Sequence, residues 1–311
     1  MQNRIHPALV ALKLLLAAAC TTVHAEPPSS LRVMTFNVLR GGTARGQPLE
    51  QTAKVIREAK ADVAGLQEIG GNLEPLAKLL GWSHAGFGSK GIVTRFEITA
   101  EHQDGVRVKL DSGREADVFN VHLRPAPYQP YQLLKIPYHN SPFLTTEAET
   151  IKAANAARGD QVAAVLKNVA ALADDGLPVF LTGDFNEPSH LDWTKKAADK
   201  GTHPIAVAYP ASTAVTAAGF RDAWRTAHPD ELTRPGFTWT PLTKPDDPKD
   251  HHDRIDFVYF KGDGIRLGEA RVIGEDPKRA DVVITPYPSD HRAVVAEFVD
   301  SNGPAGSERE P

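Results

Sequence analysis

A chain of 311 residues with 41% hydrophobic and 24% charged residues is long enough to bury a sizeable core, and no Pro/Gly/Ser-rich linker divides its middle, so one large domain is expected. The formal net charge of −4 lacks the basic footprint of a general nucleic-acid binder and argues against a duplex-specific nuclease.

The first 25 residues read as a targeting segment. Arg4 and Lys13 flank its start, Leu14 to Val23 is an apolar run too short to span a bilayer, and Val23-His24-Ala25 fits a small-x-small cleavage site. Cleavage after Ala25 would leave an exported chain, periplasmic or secreted, with no transmembrane segment. The single cysteine, Cys20, lies inside this segment, so the mature chain has no disulfide available. A second reading takes Ala17-Ala18-Ala19-Cys20 as a lipoprotein box with Cys20 acylated, which Ala17 fits poorly.

Leu31 to Phe36 alternates as a half-buried strand ending on Asn37, before a Gly41-Gly42 turn. Ala53, Ile56 and Ala59 recur at helical spacing within Glu50 to Lys60, and Ala61 to Leu66 reads as a core strand ending in Gln67-Glu68. If these two strands pair, Asn37 and Glu68 sit at neighbouring strand ends. Asn72 to Leu80 is a short helix stopped by Gly81. Gly86 to Gly91 fits GxGxxG, but Ile92-Val93-Thr94 continues as a strand where a dinucleotide loop would open a helix, so no nucleotide site is expected there. Gly105 to Leu110 and Glu115 to Leu123 form a hairpin around Asp111-Ser112-Gly113, with His122 near the end of its second arm.

The segment from Arg124 to Pro142 carries five prolines and three tyrosines, Tyr128, Tyr131 and Tyr138, which argues against any core strand or helix. Long irregular segments inside compact domains are usually functional, so it is read as a substrate lid with the tyrosines as substrate-binding residues. A surface loop packed down by its own tyrosines fits the composition equally. Thr146 and Glu149 then form a capping box for the longest helix, Ala148 to Ala173, with Ile151, Val162, Val165, Leu166 and Val169 on its apolar stripe.

The run Val179-Phe180-Leu181 delivers Asp184 and Asn186 onto the turn that follows it. A carboxylate can orient and deprotonate a water, and a neutral amide can donate to a phosphoryl oxygen without repelling it. Taken alone, GDFN reads equally as a turn closing a core strand. Trp193 to Gly219 is weakly periodic and assigned only short helices, and Trp193, Trp224 and Trp239 are assigned to core or lid packing. Phe237 to Thr240 reads as a short strand, His251 to Phe260 as a strand with a polar start, Arg271 to Ile273 as another, and Ala293 to Phe298 as the last. Residues 301–311 are too polar to pack and are expected to be a disordered tail.

Asn37, Glu68, His122, Asp184, Asn186, Asp256, Asp290 and His291 each fall at or near a strand terminus, and a single site explains all eight. Glu68, helped by Asn37, offers oxygen and no thiolate, which suits Mg²⁺ or Mn²⁺ with two to four waters completing an octahedron.

As a set, MTFNV, LQEI, FNVHL, LTGDFN, DRIDFVYF and PSDHR resemble the endonuclease/exonuclease/phosphatase superfamily from about Leu31 to Phe298. The resemblance implies an α+β fold, a four-layer α/β/β/α sandwich of two mainly antiparallel sheets with helices outside, occupying residues 31–300. It also implies Mg²⁺-dependent hydrolysis of phosphodiesters or phosphomonoesters. By the same resemblance Glu68 and Asn37 are metal-binding, with Asp290 near the metal. Asp184 is the water-orienting base, Asn186 the transition-state donor, His291 the histidine on the scissile phosphate, Asp256 its carboxylate partner and His122 a phosphate contact. Asp253 competes with Asp256 for His291, and the motif favours Asp256. Arg40 and Arg158 are assigned to surface salt bridges rather than to substrate, and His251 and His252 divide evenly between solvated loop and site. The Asn186-Glu187-Pro188-Ser189 turn lacks the longer aromatic-basic pattern of the inositol-polyphosphate 5-phosphatases.

The expected protein is therefore an exported phosphoesterase, with a small-molecule or lipid-headgroup phosphate ester favoured over nucleic acid and no stable protein partner implied. The competing readings are a secreted nuclease, which would need a Lys/Arg stripe along its cleft, and a catalytically silent binding module.

Overall fold

Alternation in Leu31-Arg32-Val33-Met34 turns Leu31 and Val33 to one face of the first strand, β1 (Ser30–Asn37), and Met34 and Phe36 to the other, and each of the four is buried in one of two separate apolar layers. A strand buried on both faces needs a layer on each side, and the rest of the chain supplies them. The computed structural model describes residues 30–172 and 176–300, so the segment ending at Ala25 and the expected tail lie outside the described residues.

One seven-stranded sheet runs in the order β12 (Val282–Val283), β11 (Ile265–Gly274), β13 (Ala293–Asp300), β1, β2 (Val63–Gln67), β4 (Lys90–Thr94) and β3 (Ser83–Phe87). A six-stranded sheet runs in the order β5 (Glu97–His102), β6 (Gly105–Lys109), β7 (Glu115–His122), β8 (Val179–Asp184), β10 (Asp256–Lys261) and β9 (Arg221–Asp222). Most pairs are antiparallel; β1 with β2, β7 with β8 and β11 with β12 are parallel.

Three apolar layers stack across these sheets. Leu31, Val33, Val118, Phe180, Val258 and Phe260 fill the space between them. Met34, Phe36 and Leu66 pack under the stripes of α1 (Leu49–Glu58) and α2 (Leu73–Leu80), the latter stopped by left-handed Gly81. Phe119, Leu181 and Tyr259 pack outward against the long helix α4 (Glu147–Ala170), which starts on the Thr146/Glu149 capping box, and against α6 (Pro210–Ala217). This is the helix–sheet–sheet–helix sandwich expected. Among the described residues no helix is long and apolar enough to cross a membrane.

Towards the C-terminal ends of β1, β2, β7 and β8 the layer between the sheets turns polar. The Gln67 amide donates to Asn120 Oδ1 at 2.6 Å, and the Asn120 amide donates to the carbonyls of Leu66 at 2.8 Å and Gly91 at 2.9 Å. Every member is bonded, so the network bridges the sheets without leaving a buried amide unmet. Gly65 permits this approach, because a Cβ there would stand 2.0 Å from Thr182 Oγ1. The floor of the candidate site is thus rigid and polar.

Several local expectations differ from the structure. The Pro/Tyr segment contains a short helix, α3 (Gln129–Leu134), because Pro130 falls in its first turn, where no backbone N–H is needed. Phe237 to Thr240 forms no strand; only Trp239 makes bridges, to Asp253 and His291. β10 starts at Asp256 rather than His251, and β5, whose alternate residues are exposed, gave too weak an apolar signal to be read. Two further short helices, α5 (Lys195–Asp199) and α7 (Ala223–Ala227), lie between β7 and β10.

Candidate active site

Register builds the site. In the six-stranded sheet His122 pairs with Asp184 across β7 and β8, and Asp184 pairs with Asp256 across β8 and β10, so the three stand side by side in one row. Alternation turns all three inward, next to the apolar set of Val118, Phe180 and Val258 on the same faces. Opposite them, Asn37 at the end of β1 pairs with Gln67, which places Glu68 one residue beyond the paired ends, as expected for neighbouring strands.

The side chains converge on one oxygen. Asp184 Oδ2 accepts from the Asn37 amide at 3.0 Å, with His122 Nε2 at 3.5 Å and His291 Nε2 at 3.8 Å. Its other oxygen accepts from the Asn186 backbone N–H at 2.8 Å, which fixes the plane of the carboxylate. Asn186 lies past the strand end in left-handed geometry, φ 49°, rather than on the strand face. Its side-chain amide donates to the Leu123 carbonyl at 3.0 Å, leaving the second amide hydrogen for a ligand. Glu68 is also left-handed, φ 60°, which for a residue other than Gly or Asn marks stored strain of the kind found at functional sites. Its carboxylate accepts from Asn37 at 3.3 Å and from the Arg40 backbone N–H at 3.0 Å.

His291 Nδ1 bonds Asp256 Oδ2 at 3.0 Å, so Asp256 and not Asp253 is its partner. Asp253 instead accepts from Trp193 Nε1 at 2.9 Å and from the Tyr128 hydroxyl at 2.7 Å. Burial alone would depress His291, but Asp256 and Asp184 on either side outweigh it and raise its value from 6.5 to about 10. Burial pushes the Asp256 carboxyl up, and His291 draws it back. We therefore place the shared proton on His291, as a cation between two carboxylates. Because its folded value lies above its ordinary one, the stability this charge confers is complete below about 6.5 and is lost as pH rises through about 10.

Ser289 was not singled out in the sequence, yet it holds the last turn to the first strand. Its buried hydroxyl donates to the Asn37 carbonyl at 2.6 Å and accepts from the His291 N–H at 3.1 Å. Asp290, half-buried, stands beside it, with its carbonyl accepting from Thr240 Oγ1 at 2.9 Å. Trp239 was assigned to packing, and its ring does contact Tyr128 and Tyr131, but it also faces His291 with centroids 6.4 Å apart. A lone Trp in a loop carries no sequence signal for that position.

The three tyrosines do not form a free lid. Tyr128 and Tyr131 are buried, and Tyr131 donates to Asp250 Oδ1 at 2.5 Å; Tyr138 is half-buried edge-on against Tyr131. Arg158, expected in a surface salt bridge, is 0% exposed: it donates to Arg124 O, Gln129 Oε1 and Pro127 O at 2.8, 2.7 and 2.8 Å and so binds this segment to α4. His252 is buried against Thr243 rather than solvated, and His251 lies beside His203. Arg40 is exposed at the rim, and among the described residues it has no salt-bridge partner.

The donor set fits a hard divalent cation. Asp184 Oδ, Asp256 Oδ and His291 N atoms lie within 4.8 Å of one another, but His291 carries the shared proton, so the donors left for a cation are carboxylate oxygens. Glu68, at the mouth, adds a third carboxylate.

Among known proteins, the chain is 29% identical over 297 residues to the uncharacterised protein F14F9.5 of Caenorhabditis elegans, the match covering 87% of this chain and 91% of that one. It superposes on truncated TDP2 of Caenorhabditis elegans with a TM-score of 0.52 at 19% identity, covering 87% of this chain and 97% of that one. The AP endonuclease of Archaeoglobus fulgidus gives 0.53 at 19%, covering 86% and 98%. An endonuclease/exonuclease/phosphatase of Beutenbergia cavernae gives 0.55 at 17%, covering 89% and 73%. These likenesses establish the fold. The sequence itself matches the Endonuclease/Exonuclease/phosphatase family over residues 34–291, a span that opens just before Asn37 and closes on His291. With that match enclosing every residue that converges on Asp184, the chain belongs to the endonuclease/exonuclease/phosphatase family, whose members are metal-dependent hydrolases of phosphate esters.

Proposed function

We propose that the protein is an exported, Mg²⁺-dependent phosphoesterase acting on a small-molecule or lipid-headgroup phosphate ester. The observation that carries this reading is the convergence of Asn37, His122 and His291 on one oxygen of Asp184. A water lying against that oxygen would lose its proton to Asp184 as it attacks phosphorus. Cationic His291, together with His122 and the spare amide hydrogen of Asn186, would donate to the oxygens on which charge develops. Asp256 keeps His291 charged and aimed. A divalent cation, held by Glu68 with Asp184 and Asp290 nearby, would supply neutralisation of phosphate charge. Arg40, free at the rim, and Arg45, which donates to the Ser289 carbonyl at 3.1 Å, are positioned to meet the remaining negative charge of a substrate.

A hydrolysis panel tests this. Bis(p-nitrophenyl) phosphate, p-nitrophenyl phosphate, sphingomyelin, phosphoinositides and plasmid DNA are offered with Mg²⁺ and after chelation. We expect turnover of at least one small or headgroup ester that is abolished by EDTA and restored by Mg²⁺ or Mn²⁺. Efficient cleavage of plasmid DNA alone would replace the proposal with the nuclease reading, and full activity in excess EDTA would remove the metal.

The charge on His291 provides a second check. In Asp256→Asn the partner that outweighs burial is removed, so the alkaline limb of the kcat/KM profile should move to lower pH. An unmoved limb in a folded variant would show that His291 does not set it.

A further inference from the structure

A second constellation lies outside the row of His122, Asp184 and Asp256. His203 Nδ1 and His251 Nε2 are 3.2 Å apart, and His251 Nε2 is 3.8 Å from Asp253 Oδ1. Ligand atoms of the three lie within 4.8 Å of one another. A tetrahedral zinc with ligands at about 2.0–2.1 Å sets neighbouring ligand atoms about 3.3–3.4 Å apart, so the imidazole pair already stands at that spacing and the carboxylate needs only a small closing movement.

His203 and Asp253 are held in orientation by their neighbours. His203 lies flat on Trp193, with centroids 4.2 Å apart and an interplanar angle of 11°. Trp193 Nε1 donates to Asp253 Oδ1 at 2.9 Å, and Tyr128 donates to Asp253 Oδ2 at 2.7 Å. Outer partners of this kind fix first ligands at metal centres. A cavity of about 220 Å³, lined by His203, His251, Asp253, Thr202 and Glu231, opens onto the trio and has room for a water as fourth ligand. Arg225 and Arg254 also line it, but their charge is engaged by Asp192 and Asp222.

We infer that His203, His251 and Asp253 form a binding site for a borderline-soft divalent cation of the zinc class, separate from the oxygen-lined centre around Asp184. Two imidazoles and one carboxylate select zinc over Mg²⁺. The ion would tie the loop at His203 to the stretch that leads into β10. That stretch matters to the active site, since Asp253 and Trp239 exchange backbone hydrogen bonds of 3.0 and 2.9 Å and Trp239 bridges to His291. The site thus staples one wall of the cleft. The inference does not rest on the proposed substrate or on hydrolysis.

The test uses the full mature chain, stripped of metal and dialysed against Zn²⁺ alone, with bound zinc counted per chain. Wild type and Glu68→Gln should both retain a zinc equivalent that His203→Ala and His251→Ala lose. Co²⁺ in its place should give the intense visible absorption of a tetrahedral site in the first pair only, and Zn²⁺ should raise the melting temperature in the first pair only. Retention of the equivalent in folded His203→Ala and His251→Ala would overturn the site. If the alanine variants do not fold, His203→Gln keeps the side-chain bulk and serves the same comparison. Wild type alone also decides, since absence of a tetrahedral Co²⁺ spectrum there refutes the inference.

Discussion

Asp184→Asn should fold like the wild type and lose kcat and kcat/KM together by about 10²–10⁴-fold, the range typical of general-base loss. The amide keeps an acceptor for the Asn186 N–H, while Asn37 stays held by Glu68 and the Leu39 N–H and gives up only its bond to this position, so the packing of the site survives. What is removed is the proton acceptor. A role confined to the transition state predicts a fall in kcat with little change in substrate binding. Asn186→Ala should add little in the double mutant, because groups that act as one unit are not additive. A catalytically silent scaffold predicts no turnover in either protein. A purely structural GDFN turn predicts a lowered melting temperature with activity kept in the folded fraction. Steady-state kinetics beside a melting curve separates these outcomes, and near-wild-type turnover in a well-folded variant would overturn the site.

Arg254→Met should cost about 3–5 kcal/mol of stability, the range for breaking a buried ion pair by removing one partner. Arg254 is fully buried, with Nη1 at 2.7 Å from Asp222 Oδ2 and Nη2 at 2.8 Å from Asp192 Oδ2. Met fills much of its volume but leaves Asp222 without this cation and Asp192 with Arg225 alone. The loss is read as a shift of the urea midpoint at unchanged m-value. Activity per folded molecule should persist, because Arg254 directs its guanidinium at Asp192 and Asp222 while Asp256 faces His291. A shift worth under about 1 kcal/mol would show that water or a rearranged Arg225 replaces it.

The contrast between Asp184 and Arg254 shows what the sequence could yield. Asp184 follows an apolar run at a strand end, and such local patterning is legible; so are the Thr146/Glu149 cap and the strands β1 and β2, whose pairing stood there only as a condition. The family resemblance then supplied the layer order. Arg254 belongs to a network with Asp192, Asp222 and Arg225, whose members are scattered along the chain and meet only through tertiary packing. Residue type alone could not distinguish it from a surface arginine, and Arg158 was misassigned to the surface for the same reason. The tyrosines posed the opposite problem. A Pro/Tyr-rich run has the composition of a lid whether or not its hydroxyls find acceptors, and here Asp253 and Asp250 supply them from more than 100 residues away, with |i−j| of 125 and 119.

The hydrogen-bonded seam between β1 and β13, from Ser30 opposite Val299 to Thr35 opposite Val294, joins the two ends of the described chain. Antiparallel pairing brings Asn37, just past Thr35, and His291, just before Val294, to the same end of that seam, so the site around Asp184 closes only when β13 meets β1. Closing so large a loop carries a high entropic cost and favours slow, late assembly. A chain whose β13 has not yet docked on β1 is therefore expected to be inert towards phosphate esters. Refolding followed by enzyme turnover should accordingly lag behind refolding followed by far-UV circular dichroism, and coincident traces would show that the seam forms early.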